Sequence, residues 1–316
     1  GKCEIFYTSC ARKIFTVSFK YIFGPVSSRR FGQSLGVDLS PNTKQCNFNC
    51  LYCELSKKRA ISEMSEIAPV DEILNEIKKG LKEFNGIEVL TITANGEPTL
   101  YPYFSELINS IKKLNISPKL LILSNASKIA ENFDDLLKFD IVKFSLDAAC
   151  EEIFKKIDNP KKVQMSKIIE NIIKFRQKFT GILVIEILVV SDINDSEDEF
   201  KNLAKALRDI KADRVDIGTI DRPPAFDCKA VSLERLNELA EILKKENIKN
   251  VEIIAKPAYS GIKLHIDKDE ILATIKRRPQ SETDISQMFD EFSLQNLREL
   301  LDERKILLKN GFFILN

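Results

Sequence analysis

Three cysteines, Cys46, Cys50 and Cys53, fall within the eight residues "CNFNCLYC". Thiolates gathered at such short spacing point to a zinc ion or an iron–sulfur cluster. A structural zinc site is usually built from two ligand pairs, and no second pair follows. The only histidine, His265, lies far downstream. A [4Fe-4S] cluster normally takes four thiolates, so three leave one iron open. An open iron can chelate a ligand with adjacent donors, such as an amino group beside a carboxylate.

The three cysteines follow the predicted strand "SLGVDL" (34–39) and so sit on a loop at its C-terminal end. Further apolar runs predict strands at 88–94, 119–125, 140–147, 183–190 and 214–220, and "NVEIIA" (250–255) offers a closing strand. Their near-continuous Val, Ile and Leu content suits parallel strands covered on both faces. Helical periods fill the gaps. Val70, Ile73, Leu74, Ile77 and Leu81 fall on one stripe, as do Phe104, Leu107, Ile108, Ile111 and Leu114. More helices are predicted at 165–178, 196–209 and 233–247. The fold class is therefore α/β, an incomplete parallel (β/α)6 barrel, and barrels place their active sites at the C-terminal ends of the strands.

After "KPAYSG" (256–261) the pattern changes. Helices at 268–276, 283–289 and 293–304 precede "KILLKNGFFILN", a hairpin turning at Asn310-Gly311. This predicts a small winged-helix-like domain over 266–316, after a barrel core over 21–258 and an N-terminal extension, expected to be disordered, over 1–20. The extension has neither a clean apolar core nor a small-residue cleavage site, so no signal peptide is expected.

The bulk composition adds limits. Lys+Arg 48 against Asp+Glu 47 gives a formal net charge of +1, so global charge selects no nucleic-acid partner. No apolar run is long enough to span a membrane. Seven cysteines, an odd number in a 316-residue chain, fit a reducing cytoplasm with one metal site. Cys150 and Cys228 read as small buried apolar residues.

"CNFNCLYC", with Tyr52 directly before the last cysteine, resembles the signature of the radical S-adenosylmethionine (radical SAM) superfamily. The resemblance implies that S-adenosyl-L-methionine fills the open position. The reduced [4Fe-4S] cluster would then cleave it to methionine and a 5′-deoxyadenosyl radical, with an external electron donor such as flavodoxin or ferredoxin. "ANGEPTL" resembles the family's glycine-glycine-glutamate-proline stretch, which holds the cofactor's amino group. It supplies Asn95 in place of a glycine, then Gly96, Glu97, Pro98 and Thr99. "LSNAS" resembles the stretch near the ribose, with Ser124 and Asn125. Either residue would equally cap a helix.

"KFSLDA" brings Lys143, Ser145 and Asp147 to one face of a strand otherwise apolar, suited to the ribose or the methionyl group. Glu186 lies inside an apolar run, at the barrel mouth or on a solvated edge. In "GTIDRPPAF", Gly218 would let adenine approach the backbone, while Asp221 and Arg222 would grip a polar substrate group or each other. Ser27, Ser28, Arg29 and Arg30 in "GPVSSRR" form either a solvated face or a phosphate site.

The "GPVSSRR" and "NGEPTL" contexts are similar to uncharacterised iron–sulfur oxidoreductases grouped with the wyosine synthases, which build a tricyclic base in transfer RNA. Those synthases carry a second cluster on three further cysteines, whereas only Cys3 and Cys10 precede the motif here. The segment 266–316 holds 8 Lys/Arg and 10 Asp/Glu, a net charge of −2, which suits a protein-docking or lid module better than a nucleic-acid clamp. The substrate class expected is RNA or a peptide or protein. The alternative is a non-catalytic iron–sulfur protein that transfers electrons or senses redox state.

Overall fold

The computed structural model describes residues 19–28, 31–254, 263–277 and 279–316. Cys3, Cys10, the Arg29-Arg30 pair and most of the expected boundary between 258 and 266 lie outside them. The chain opens with an antiparallel pair, β1 (Ile22–Ser28) and β2 (Gly32–Asp38). Then come α1 (Val70–Glu83), β3 (Val89–Thr93), α2 (Phe104–Lys113), β4 (Lys119–Ser124), the short α3 (Phe133–Leu136) and β5 (Ile141–Ser145). The run continues through α4 (Glu151–Ile157), α5 (Met165–Lys178), β6 (Ile182–Val189), α6 (Glu197–Ile210), β7 (Arg214–Thr219), α7 (Leu233–Lys245) and β8 (Val251–Ile254).

From β2 to β8 the strands pair in sequence order and in parallel, which is the incomplete barrel the sequence predicts, extended by one strand. The antiparallel β1 was not anticipated, yet Ile22–Ser28 covers the edge of β2. An uncovered edge would expose a row of unpaired backbone groups.

Strand parity separates two cores. Leu90, Ile92, Ile122, Val142 and Phe144 face outward into the helices, as does the inner stripe of α1. A Cβ at Gly80 would lie 3.0 Å from Leu35 Cδ2, so that side chain would have to shift by a few tenths of an ångström. The opposite parity faces the barrel lumen, whose floor is plugged by Phe31, Val89, Leu121 and Ile141.

The C-terminal elements follow in the order α8 (Lys268–Arg277), β9 (Gln280–Ser281), α9 (Glu282–Met288), α10 (Glu291–Asp302), β10 (Ile306–Lys309) and β11 (Phe312–Leu315). The three strands form an antiparallel sheet in the order β10-β11-β9. Ser281 and Asp284 make a reciprocal capping box at the start of α9. Asn310 (φ 51°) and Gly311 (φ 75°) turn the hairpin where the sequence predicts. The acidic α10 is paired internally, with Lys268 reaching Glu299 at 2.8 Å and Glu303 at 2.5 Å.

This module has its own core around Ile271, Phe289 and Leu300. It is not detached, however. Phe312 packs into the barrel's core, and Asn310 Nδ2 donates to Phe226 O at 3.0 Å, so the hairpin tip is docked on the loop after β7. Among the described residues, no helix is long and apolar enough to cross a membrane.

Candidate active site

A cavity of about 200 Å³ opens at the C-terminal ends of the strands. Cys46, Cys50 and Cys53 line one wall and are unpaired thiols. The loop that carries them is held by backbone bonds at both ends. Gln45 N donates to Asn95 O at 2.7 Å, Asn49 N to Asp158 O at 3.0 Å and Leu51 N to Ile157 O at 2.8 Å. The last two contacts use the C-terminal end of α4, a helix the sequence reading missed. Its seven residues are too few to show a clear period. On the far side, Ala225 N donates to Cys53 O at 2.8 Å and Cys228 Sγ to Leu51 O at 3.3 Å.

Among the described residues, no three His, Cys, Asp or Glu side chains converge on a single metal ion. A [4Fe-4S] cluster takes each thiolate at a different corner, so its ligands need not meet at one point. Phe48 N approaches Cys46 Sγ at 3.4 Å and Asn125 Nδ2 at 3.8 Å, the weak N–H donors that cluster sulfurs accept. Burial pushes the Cys46 thiol up to about 12, and the negative charge of Glu97 adds to it. Cys50 is raised as well, first by burial and then by Asp158. Such thiols give up their protons only to a strongly positive centre, as iron is. The donor set fits the cluster that the spacing implies.

The opposite wall is built on Glu97. Its carboxylate, 1% exposed, accepts from Thr99 N (3.0 Å), Thr99 Oγ1 (2.6 Å), Ser124 Oγ (2.7 Å) and Asn125 N (2.6 Å). No ion pair with a cation forms among the described residues. Burial raises its pKa, and those four donors oppose the rise. Ser124 and Asn125 line the cavity but cap no helix. Ser124 Oγ accepts from Ala126 N at 3.1 Å, and Asn125 Oδ1 accepts from Ser127 N at 3.0 Å, so both serve a turn. Gly96 and Ser145 also line the cavity.

Asn95, Pro98 and Asp147 stand one layer behind it. Asn95 is not in the left-handed region. Its backbone N–H donates to Asp38 Oδ1 at 2.9 Å and its Nδ2 to Pro41 O at 3.2 Å. It ties loops together rather than facing a ligand. Pro98 starts a 3-10 turn over Pro98–Leu100 that aims Glu97. Asp147, 2% exposed, accepts from Tyr52 OH at 2.5 Å and from Leu188 N at 2.7 Å. Tyr52, from the cysteine motif, thus reaches across to anchor the cluster loop to β5 and β6.

Lys143 faces the lumen as its parity predicts, but its Nζ is held by Glu186 (2.5 Å) and Asp216 (3.4 Å). Arg214 completes that layer at 2.8 Å from Asp216. Arg222 does not join Asp221 over a substrate: it pairs with Glu54, next to the last cysteine, at 2.7 Å. A Cβ at Gly218 would make only ordinary contacts, with Ile254 O at 3.6 Å and Ile254 Cβ at 3.7 Å. His265 is remote, bound to Asp290 at 2.6 Å.

Asp158 was missed because nothing near it in the sequence marks it. It is 3% exposed, and it lies against Asp147 and Cys50. Burial above all raises Asp147 to about 7, and burial and then Asp147 raise Asp158. A carboxyl whose folded pKa is raised binds more protons folded than unfolded, so stability falls as pH climbs through that interval. Melting of cluster-free protein between pH 5 and pH 8 is therefore expected to show a falling Tm. Asp158→Asn should flatten that slope, because one charge can stay on Tyr52 OH and Leu188 N–H. An unchanged slope would mean that the approach of Asp158 to Asp147 does not carry the pH dependence.

Residues 42–207 match the model of the radical SAM superfamily, a span that covers both walls of the cavity. The chain belongs to that superfamily. It is 44% identical over 298 residues to a UPF0026 protein of Helicobacter pylori, covering 91% of this chain and 94% of the relative. A UPF0026 protein of Methanocaldococcus jannaschii is 27% identical and covers 90% and 91%. Among solved structures, Streptococcus suis SuiB bound to S-adenosylmethionine shares the fold with a TM-score of 0.53 at 19% identity, over 69% of this chain and 49% of SuiB. This chain is a radical SAM enzyme, and its cofactors are a [4Fe-4S] cluster and S-adenosyl-L-methionine.

Proposed function

We propose that Cys46, Cys50 and Cys53 hold the cluster and that S-adenosyl-L-methionine lies across the cavity, with its amino group on Glu97. The supporting observation is the meeting, in one cavity, of three unpaired thiols and a buried carboxylate that has only neutral donors. When bound, the pair supplies reductive cleavage of the sulfonium and a 5′-deoxyadenosyl radical that abstracts hydrogen from the substrate.

The residues do the positioning. Gly96 lets the backbone come close to the cluster loop, Ser124 and Asn125 orient Glu97, and Ser145 offers a hydroxyl toward the ribose. Tyr52, through Asp147, fixes the cluster loop against the barrel. An external one-electron donor such as flavodoxin or ferredoxin completes the cycle.

The substrate we favour is a peptide or protein rather than RNA. The C-terminal module carries a net charge of −2 over 266–316, and its hairpin tip is engaged by the barrel through Phe312 and Asn310. Phosphate recognition depends on cations, and in this module acidic residues outnumber basic ones, with Lys268 drawn to Glu299 and Glu303. A pure electron carrier would need no second wall opposite its cluster. The test is anaerobic reconstitution with iron and sulfide, reduction, and addition of S-adenosyl-L-methionine, with 5′-deoxyadenosine as the readout. Slow release is expected from the native chain and none from Cys46→Ala. A reduced cluster that neither binds nor cleaves the cofactor would sink the reading in favour of electron transfer.

A further inference from the structure

A depression of about 770 Å³ lies on the flank of the barrel, behind the cluster loop and apart from the cavity. It is rimmed by Lys128, Lys155, Lys161, Lys162 and Lys167, against Glu131 and Glu151. Three of these lysines are neutralised: Lys128 by Glu131 (2.9 Å), Lys155 by Glu151 (3.5 Å) and Lys167 by Glu170 (2.7 Å). Lys161 and Lys162 make no ion pair among the described residues. The backbone of Lys161 is tied to the cluster loop, for its N–H donates to Asn47 O at 2.9 Å.

The wall between this depression and the cluster ligands is thin. Asn47 and Ser127 line it, and Asn47 directly follows Cys46. Asn47 Nδ2 donates to Ser127 Oγ at 2.8 Å, and Asn47 Oδ1 accepts from Asn125 Nδ2 at 2.9 Å. That same Nδ2 lies 3.8 Å from Cys46 Sγ. A basic face is thus coupled through one packed layer to a cluster thiol.

We propose that this depression is the docking surface for the electron donor, a small acidic protein carrying a flavin or an iron–sulfur centre. The inference rests on the functional reading above. One electron passes from the reduced donor, a flavin hydroquinone going to the semiquinone, to the oxidised cluster, which goes from the 2+ to the 1+ state. An electron crosses a packed layer, whereas a hydrogen atom must be abstracted at contact. A substrate therefore needs the cavity side, and a donor does not. The face also suits a protein better than a phosphate chain. Glutamates are interleaved with its lysines, and it offers no arginine, the residue that grips phosphate in bidentate fashion. Complementary charge of this kind chiefly speeds encounter and is weakened by salt.

The probe is a flavodoxin, and the first readout is its binding to cluster-free protein by fluorescence anisotropy at low salt. Changing Lys161→Glu, Lys162→Glu and Lys167→Glu together should weaken binding about tenfold or more and remove most of its salt dependence. With the cluster loaded, reduction by flavodoxin hydroquinone should slow by a similar factor. Photoreduction by 5-deazariboflavin, a small neutral donor, should keep its native rate. Unchanged flavodoxin binding and reduction in the triple variant would overturn the proposal, as would an equal slowing with deazariboflavin. Loss of transfer-RNA binding with flavodoxin unaffected would assign the face to RNA and overturn it too. Failure of the functional reading shows separately, as native protein that takes up no cluster.

Discussion

Glu97→Gln is expected to weaken S-adenosyl-L-methionine binding by about tenfold to a hundredfold, the loss of a charge-assisted hydrogen bond of about 1.5–3 kcal/mol. Every protein group around this carboxylate is a donor: Thr99 N, Thr99 Oγ1, Ser124 Oγ and Asn125 N. These share the negative charge but do not cancel it. A ligand ammonium in the cavity would do so. A glutamine keeps the shape, removes the charge and turns an NH2 toward at least one of those donors. The effect can be assigned to the amino group by comparing two ligands in equilibrium dialysis. S-adenosyl-L-methionine should bind more weakly to the variant, while 5′-methylthioadenosine, which has no amino acid end, should bind as it does to the native chain. An equal loss for both ligands would place Glu97 in the scaffold rather than on the cofactor. The cluster absorbance should remain, because Glu97 bonds to none of the three cysteines.

The cysteine motif, the strand order and most helices were legible in the sequence because each rests on local pattern. α5 runs over Met165–Lys178 as its apolar period indicates, and β7 over Arg214–Thr219 differs from its predicted range by one residue. What the sequence hid were relations between distant segments. The pairing of Tyr52 with Asp147, and the approach of Asp158 to Cys50, join the loop after β2 to the distant unit formed by β5 and α4. No local feature announces such contacts. The same blindness misplaced Arg222, whose partner Glu54 is remote in sequence and adjacent in space. It also gave Asn95 a backbone role as a glycine substitute, when the residue acts through its carboxamide on Pro41. Pattern reveals which residues are unusual. Only packing reveals which of them meet a ligand and which hold the ones that do.

Gly96 is where packing and chemistry meet most tightly, and Gly96→Ala should be the most damaging single methyl group in the barrel. Its φ of +144° lies where L side chains are rarely found. A Cβ there would sit 1.9 Å from Gln45 O and 2.3 Å from Gln45 C, both backbone atoms that no rotamer change can move. Gln45 cannot retreat. It is 0% exposed, its Nε2 donates to Glu66 O at 2.8 Å, and its Oε1 accepts from Ser65 N at 2.8 Å and Glu66 N at 3.0 Å. Relief must therefore come from parting the Gln45–Gly96 bridge, which holds Gln45 N on Asn95 O (2.7 Å) and Glu97 N on Gln45 O (3.0 Å). Two lost backbone bonds and the backbone strain together amount to about 3–5 kcal/mol. In a barrel of this size that should lower Tm by roughly 10 °C. The displacement acts on Cys46 on one side and Glu97 on the other, so cluster uptake and cofactor binding should fail together. Gly86→Ala is the control: its φ is +73°, yet nothing lies within 4 Å of the added Cβ. It should cost only about 1 kcal/mol and leave both functions intact. If calorimetry finds the two variants equally stable, or if Gly96→Ala still loads iron and binds S-adenosyl-L-methionine, the close approach of the two loops is not what builds the site.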